Sequence, residues 1–173
     1  MRSQPPLTEP QRQLVQYMVD NDVEFVVIGG HAARANGLER ETYDLDVILN
    51  LNSITARGLA TYFSTVVPMV NVEALTVAMM ADKNQKIPFD TQRTHHADLL
   101  TRAKGIPFSE IMSSPVAFGD QVLPVAMRLD VIKLKELVFD SFDPPEVKKK
   151  HRDDIENLKK LELEDPQDRS QAA

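Results

Sequence analysis

Two short apolar runs separated by a diglycine constrain the fold more than any other part of the sequence. Residues 25–28 form a continuous apolar run that stops at Gly29-Gly30, a pattern typical of a buried strand. Thirteen residues after the diglycine, residues 44–49 combine alternate carboxylates with apolar residues. We predict a second strand there, joined to the first by a brief helix over residues 31–36 that ends at Gly37 as a C-terminal cap.

The second run places Asp44 and Asp46 on one face of the strand, because side chains at i and i+2 point the same way. Leu45 and Val47 then face the core. Two carboxylates on one face repel each other and cost desolvation unless a cation lies between them. Hard oxygen ligands select Mg²⁺ or Mn²⁺, and Mg²⁺ takes its other ligands from water and substrate phosphates. The pair therefore predicts metal-assisted phosphoryl-type transfer, with a solvent-facing edge pair as the competing interpretation.

Gly29-Gly30 supplies the second half of the pattern. Without side chains, the backbone can approach a triphosphate closely, with N–H groups facing the anion at a helix start. A diglycine alone is usually a tight turn, and Asp-x-Asp alone is a weaker signal still. The succession of strand, diglycine, helix and Asp-x-Asp strand is much harder to obtain by chance, so we read it as one nucleotide site.

The rest of the chain predicts helices at both ends with a few strands between them. Helical spacing of apolar residues predicts helices over residues 9–21, 54–63, 73–80, 128–139 and 146–163. Further strands are expected to end at residues 96–100 and to cover residues 121–125, where Pro124 favours an edge or a strand end. Val66-Val67 is strand-like within an ambiguous segment. This order lacks the regular alternation of a doubly wound sheet and indicates an α+β fold with a small mixed sheet.

Length and composition bound the organisation of the chain. At 173 residues, one domain over residues 11–163 is expected. Residues 1–10 are expected to form a flexible arm, because their three prolines block regular pairing, and the polar residues 164–173 are expected to fray.

Charge and cysteine content narrow the partners and the setting. The net charge is −6, so no general positive field draws the protein to nucleic acid, although residues 148–152 form a local cationic run. Cysteine is absent, and no apolar run is long enough to span a bilayer. We expect a cytoplasmic protein without a membrane partner.

The residues from Gly29 to Asp46 resemble the signature of the polymerase-β-type nucleotidyltransferase superfamily. The intervening Gly37-x-x-Arg40-x-Thr42-x-Asp44-x-Asp46 is similar to a narrower branch, which holds minimal nucleotidyltransferases and the toxins of AbiE-type toxin–antitoxin systems. The C-terminal half of that branch has a Leu-Ile-x-x-Lys pattern, matched by residues 131–135, and a basic step before an Asp, matched by residues 150–158. The resemblance implies the small mixed-sheet nucleotidyltransferase fold with C-terminal helices.

The resemblance also implies roles for individual residues. Asp44 and Asp46 would hold the metal, and Gly29 and Gly30 would line the triphosphate. From the two C-terminal helices, Lys135 would reach the phosphates, with Lys133 as the alternative, and Asp154 would form the far wall. Arg40 and Thr42 would brace the metal loop or contact the nucleotide.

A third carboxylate usually comes from a later strand in this superfamily. Asp98 is the preferred candidate, because apolar residues flank it at strand spacing. Asp90 and Asp130 are weaker alternatives, since Asp90 follows a proline in a possible turn and Asp130 opens a predicted helix. Gly30 departs from the pattern, because many active members have Ser there.

The implied activity is transfer of an NMP from an NTP to an acceptor hydroxyl, with Mg²⁺ or Mn²⁺ as cofactor. The acceptor could be a tRNA end, a protein or a small molecule, and a partner protein could come from an adjacent gene. The alternative is a catalytically inert nucleotide-binding or antitoxin-like module of the same fold.

Overall fold

The computed structural model describes residues 2–89, 95–137 and 144–172. Its helices are α1 (Glu9–Asp20), α2 (Gly29–Ala35), α3 (Ser53–Val66), α4 (Val72–Met80), α5 (Arg128–Glu136) and α6 (Pro145–Glu164). Its strands are β1 (Arg2–Gln4), β2 (Glu24–Val27), β3 (Leu45–Asn50), β4 (Gln85–Pro88), β5 (His96–Leu100), β6 (Arg102–Ala103), β7 (Ile106–Pro107), β8 (Ser113–Phe118) and β9 (Gln121–Ala126). None of the six helices combines the length and apolar character that a membrane span requires.

Seven of these strands form one mixed sheet in the order β1-β8-β9-β2-β3-β5-β4. The pairs β1–β8, β9–β2 and β3–β5 are parallel, whereas β8–β9, β2–β3 and β5–β4 are antiparallel. Helices pack against this sheet, and the prediction of a small mixed-sheet fold is confirmed.

The strand β3 lies inside the sheet, between β2 and β5, and its sequence explains why. Leu45 and Val47 are fully buried, whereas Asp46, between them on the other face, is partly exposed. The alternation therefore directs apolar side chains into the core and the carboxylate to the opposite face, as predicted. The helix α3 begins at the cap Asn52, whose side chain accepts hydrogen bonds from the N–H groups of Ile54 and Thr55, both at 2.9 Å.

The strand-like interpretation of Val66-Val67 is wrong. The buried residues of α3 recur at helical spacing, and the helix continues through Val66. The placement of Pro124 at an edge is also wrong, because β9 lies inside the sheet. Pro124 faces Pro115 in the β8–β9 ladder, and β9 meets β2 through the single registered pair Val27 and Val125, so the missing N–H interrupts little pairing.

Residues near both ends of the chain contact the rest of the domain. Residues 2–4 pair in parallel with β8, because the prolines that we expected to block pairing all follow the strand. At the other end, Gln167 hydrogen-bonds Asn36 at 2.6 Å and Arg169 pairs with Asp130 at 2.9 Å. The division into an arm, a domain and a tail stays a prediction, but these terminal residues contact the domain. The predicted end of the α5 helix, at residue 139, lies outside the described residues.

Candidate functional site

A pair of carboxylates lies where two parallel strands meet. Asp46 on β3 and Asp98 on β5 occupy registered positions on neighbouring strands, so their side chains lie next to each other on one face of the sheet. Burial and the charge and hydrogen bond of Asp98, with a smaller effect of Asp44, raise the pKa of Asp46 to about 7, although the N–H of Gly30 opposes this. The carboxyl group of Asp46 therefore holds a proton more readily than an ordinary aspartate does.

Asp44 completes the group from the residue just before β3. Its carboxylate accepts a hydrogen bond from the N–H of His96 at 2.7 Å and contacts the Nζ of Lys86 at 3.4 Å. The same Nζ lies 3.7 Å from Asp98. Although partial burial works against the charged amine, the three aspartates together raise the pKa of Lys86. Asp44, Asp46 and Asp98 are thus brought together with one lysine, as predicted for the carboxylates but not for Lys86.

The diglycine lies directly against this group, and each glycine is required for a different reason. Gly29 has a φ of 62°, and a Cβ there would lie 1.8 Å from Oδ2 of Asp46. A Cβ on Gly30 would lie 2.2 Å from the hydroxyl of Thr42. The N–H of Gly30 contacts Oδ2 of Asp46 at 3.3 Å. Any larger residue would displace the carboxylate or the threonine, so the absence of side chains is what lets the two motif halves meet.

Three further predicted residues form a buried charged cluster. Asp154 on α6 accepts hydrogen bonds through one oxygen from both Arg40 and Lys135, the latter at 2.7 Å. Lys135 and Asp154 have side chains that are 5% and 12% exposed. Burial lowers the pKa of Lys135, and the hydrogen bond and charge of Asp154 only partly offset it. The cluster ties the loop before β3 to both C-terminal helices.

One cavity of about 850 Å³ connects the two groups of charges. Its walls include every predicted site residue except Asp154, which lies behind Arg40 and Lys135. Lys150 and His151, from the cationic run on α6, also line it. The cavity is therefore bordered by the carboxylates and Lys86 on the sheet side, and by basic side chains of α5, α6 and the loop before β3 on the other side.

The alternatives left open by the sequence can now be compared. Lys133 is 51% exposed, lies 3.9 Å from Glu110 and does not line the cavity, which favours Lys135. Asp130 forms an ion pair with Arg169 and accepts a hydrogen bond from the N–H of Met112. Like Lys133, it does not line the cavity. Asp90 lies outside the described residues.

Sequence reasoning missed Lys86 and Tyr43 at the cavity. Lys86 lies on β4, directly opposite Asp98 in the antiparallel ladder. The only sequence signal was its position next to the buried Ile87, which turns Lys86 to the opposite face. The pairing partner of a short strand cannot be read from such a pattern.

The carboxylate group fits a hard divalent cation by its donor chemistry. Asp44, Asp46 and Asp98 offer carboxylate oxygens, which Mg²⁺ and Mn²⁺ prefer as ligands. The raised pKa of Asp46 shows that negative charge is unfavourable there, and a bound cation would neutralise it. Among residues 2–89, 95–137 and 144–172, however, no three His, Asp or Glu side chains are placed as a ready-made metal site. Asp44 is turned towards Lys86 and the His96 N–H instead.

No protein-family model matches the sequence, and no curated protein matches it either. Among solved structures, the chain is similar to an antigenic nucleotidyltransferase-like protein from Paracoccidioides brasiliensis, with 14% identity and a TM-score of 0.56, over 90% of this chain and 78% of that one. It is also similar to the lincosamide antibiotic adenylyltransferase LnuA, in a lincomycin-bound structure, with 15% identity and a TM-score of 0.46, over 90% of this chain and 99% of that one. The first likeness establishes a nucleotidyltransferase-like fold, and fold alone does not define an activity.

Proposed function

We propose that this protein is a metal-dependent nucleotidyltransferase that moves an NMP from an NTP to an acceptor hydroxyl. The observation that carries the proposal is the position of Asp98, in register with Asp46 and beside Asp44, on the cavity that Gly29-Gly30 also lines. An inert domain gains nothing from holding three carboxylates together, because their repulsion costs stability.

The residues of the cavity divide the work of such a reaction. The triphosphate would lie along Gly29 and Gly30, where no side chain blocks its approach, with Lys135 and Arg40 as its cationic partners. Asp44, Asp46 and Asp98 would hold Mg²⁺ or Mn²⁺, which supplies neutralisation of the phosphate charge. Thr42 would keep the loop before β3 in place.

The proposed step forms one bond at the α-phosphorus of the NTP and breaks another. The acceptor oxygen forms a bond to the α-phosphorus, and the bond from that phosphorus to the bridging oxygen of the β-phosphate breaks. Pyrophosphate would leave, and Asp98 would accept the proton of the acceptor hydroxyl. Positioning and charge neutralisation provide most of the rate in reactions of this class.

The proposal leaves the acceptor and the cellular role open. A tRNA end, a protein side chain and a small molecule all present a hydroxyl, and the cationic residues of α6 at the cavity keep a phosphate-rich acceptor among them. A toxin of the AbiE-type branch with a partner from an adjacent gene, and a cytoplasmic location, remain predictions.

A second candidate is a nucleotide-binding module without turnover. It is favoured by one observation: the described residues hold no ready-made three-ligand metal site, and Lys135 and Arg40 are already paired with Asp154. The two candidates differ in turnover, not in nucleotide binding.

The test is a transfer assay with each α-³²P-labelled NTP, Mg²⁺ or Mn²⁺, total tRNA and cell extract. The Asp44→Ala, Asp46→Ala double variant is compared with wild type and with Asp153→Asn, a control at an exposed acid on α6. We expect wild type and the control to label an acceptor and the double variant to lose the label. Metal-dependent nucleotide binding without any labelled acceptor would favour the binding module, and no nucleotide binding at all would refute both.

A further inference from the structure

Lys86 contacts two of the three carboxylates of the site, Asp44 and Asp98. It lies on β4, at the edge of the sheet, with a side chain that is 57% exposed. Lysines on edge strands commonly discourage pairing with other chains by pointing into solvent. Here the ammonium instead turns to the carboxylates, 3.4 Å from Asp44 and 3.7 Å from Asp98.

The ammonium and a divalent ion would serve the same purpose at the same place. Each neutralises like-charged carboxylates that are held together by the pairing of β3 with β5. A divalent ion ligated by Asp44 and Asp98 would lie within a few ångströms of the Lys86 ammonium. Two cations that close repel each other strongly, even in a partly exposed site, so both cannot hold the carboxylates at once.

We propose that Lys86 is an internal counterion that competes with the divalent cation for Asp44 and Asp98. This inference rests on the proposed function, because it concerns the metal site of that reaction. Lys86 occupies the carboxylates in the metal-free protein and leaves them when the metal binds. Its half-exposed side chain on an edge strand has room to move without disturbing the core.

The competition orders the binding of substrates. Free metal binds weakly, since it has to displace Lys86 without any compensating contact. Metal that arrives with an NTP brings phosphate oxygens into the cavity that Lys86 also lines, and these offer the displaced ammonium a new partner. Metal and nucleotide therefore bind with positive cooperativity. Lys86 acts as a positioning residue that determines how strongly the binding of one favours the binding of the other.

Titration of Mn²⁺ into the full-length protein, followed by electron paramagnetic resonance, tests this directly. The variants are Lys86→Met, which removes the charge, Lys86→Arg, which keeps it, and Lys133→Met, a matched control at an exposed lysine away from the cavity. Without nucleotide, we expect Lys86→Met to bind Mn²⁺ about tenfold more tightly than wild type. Lys86→Arg and Lys133→Met should stay within about twofold of wild type, since the charge at the site is unchanged.

A second titration, with a non-transferable NTP analogue present, measures the cooperativity. The gain in Mn²⁺ affinity caused by the analogue should be smaller in Lys86→Met than in wild type. If wild type binds Mn²⁺ and Lys86→Met binds it no more tightly, the competition is refuted and the proposed function stands. If no variant binds Mn²⁺ even with the analogue, the metal site itself is wrong, and both proposals fail.

Discussion

The buried polar groups at the two ends of helix α2 differ in whether their hydrogen bonds and charges are satisfied. At its C-terminal end, Asn36 is 2% exposed. Its amide donates to the carbonyls of Ala32 and Ala126 at 2.8 and 2.9 Å. Its side-chain oxygen accepts hydrogen bonds from Gln167 at 2.6 Å and Arg2 at 3.1 Å. Every side-chain polar atom of Asn36 therefore has a partner.

At the N-terminal end, the carboxyl group of Asp46 lies beside that of Asp98, and its pKa is raised first by burial and then by that second carboxylate. Satisfied polar clusters stabilise a fold, whereas like charges held together cost stability and mark places where a ligand completes the arrangement. The contrast indicates that the Asn36 end joins the chain termini to the sheet, whereas the Asp46 end leaves a repulsion that a ligand would relieve, as the proposed function requires.

Asn36→Ala should have the largest effect on stability. It removes the hydrogen bonds to the Ala126 carbonyl and to Gln167 and opens a buried space, so we expect the free energy of unfolding to fall by about 3 kcal/mol. Urea unfolding measures the loss. Asn50→Ala, at an exposed asparagine that contacts Glu24, is the control and should cost about 0.5 kcal/mol or less. Equal losses in the two variants would refute the structural role of the Asn36 end.

Gly29→Ala tests the opposite end of the helix. The new Cβ would collide with Asp46, at a backbone φ of 62° that already disfavours side chains. We expect a loss of about 2 kcal/mol in stability, together with loss of nucleotidyl transfer. Gly105→Ala is the matched control, because its φ is 86° but nothing lies within 4 Å of the Cβ. Gly105→Ala should lose stability only through backbone strain and should keep nucleotidyl transfer. If it lost transfer to the same extent as Gly29→Ala, the loss could not be attributed to the collision with Asp46.

Asp46→Asn sharpens the comparison by removing the repulsion and the function together. At about pH 8 and without metal, the variant should be more stable than wild type by about 1 kcal/mol, because a neutral amide replaces one of two facing carboxylates. Thermal unfolding in a chelator measures this, and the transfer assay should show no product. A variant that is less stable than wild type under these conditions would contradict the unfavourable pairing.

The same carboxyl group gives the wild type a pH dependence of known sign. With a folded pKa of about 7, above the usual value of 3.8, the folded protein binds more protons than the unfolded chain between these values. Metal-free stability should therefore fall as the pH rises from about 4 to about 7 and then level off. In Asp46→Asn this part of the slope should be absent.

The sequence was most informative where the determining contacts are local. The unit of β2, α2 and β3 follows from an apolar run, two glycines and an alternating strand, all within residues 24–50. Asp98 was also identified, since its apolar neighbours reveal a buried strand. The ion pair of Arg40 with Asp154 joins residues 114 positions apart. Both residues were predicted at the site, but their contact with each other was not.

The features that were missed depend on pairing between distant segments. Lys86 reaches the carboxylates only because β4 adds to β5 at the sheet edge, and the strand β8 was not predicted at all. The terminal residues were judged by their prolines and polarity, but the partners that hold them, such as Asn36 and Asp130, lie far away in the chain.

A crystal structure with Mn²⁺ and a non-transferable NTP analogue tests the central claim most directly. We predict an anomalous Mn²⁺ peak in contact with the carboxylate of Asp46, with the triphosphate lying along Gly29-Gly30. A nucleotide bound elsewhere, or a Mn²⁺ peak away from these carboxylates, would contradict the assignment of this cavity as a nucleotidyl-transfer site.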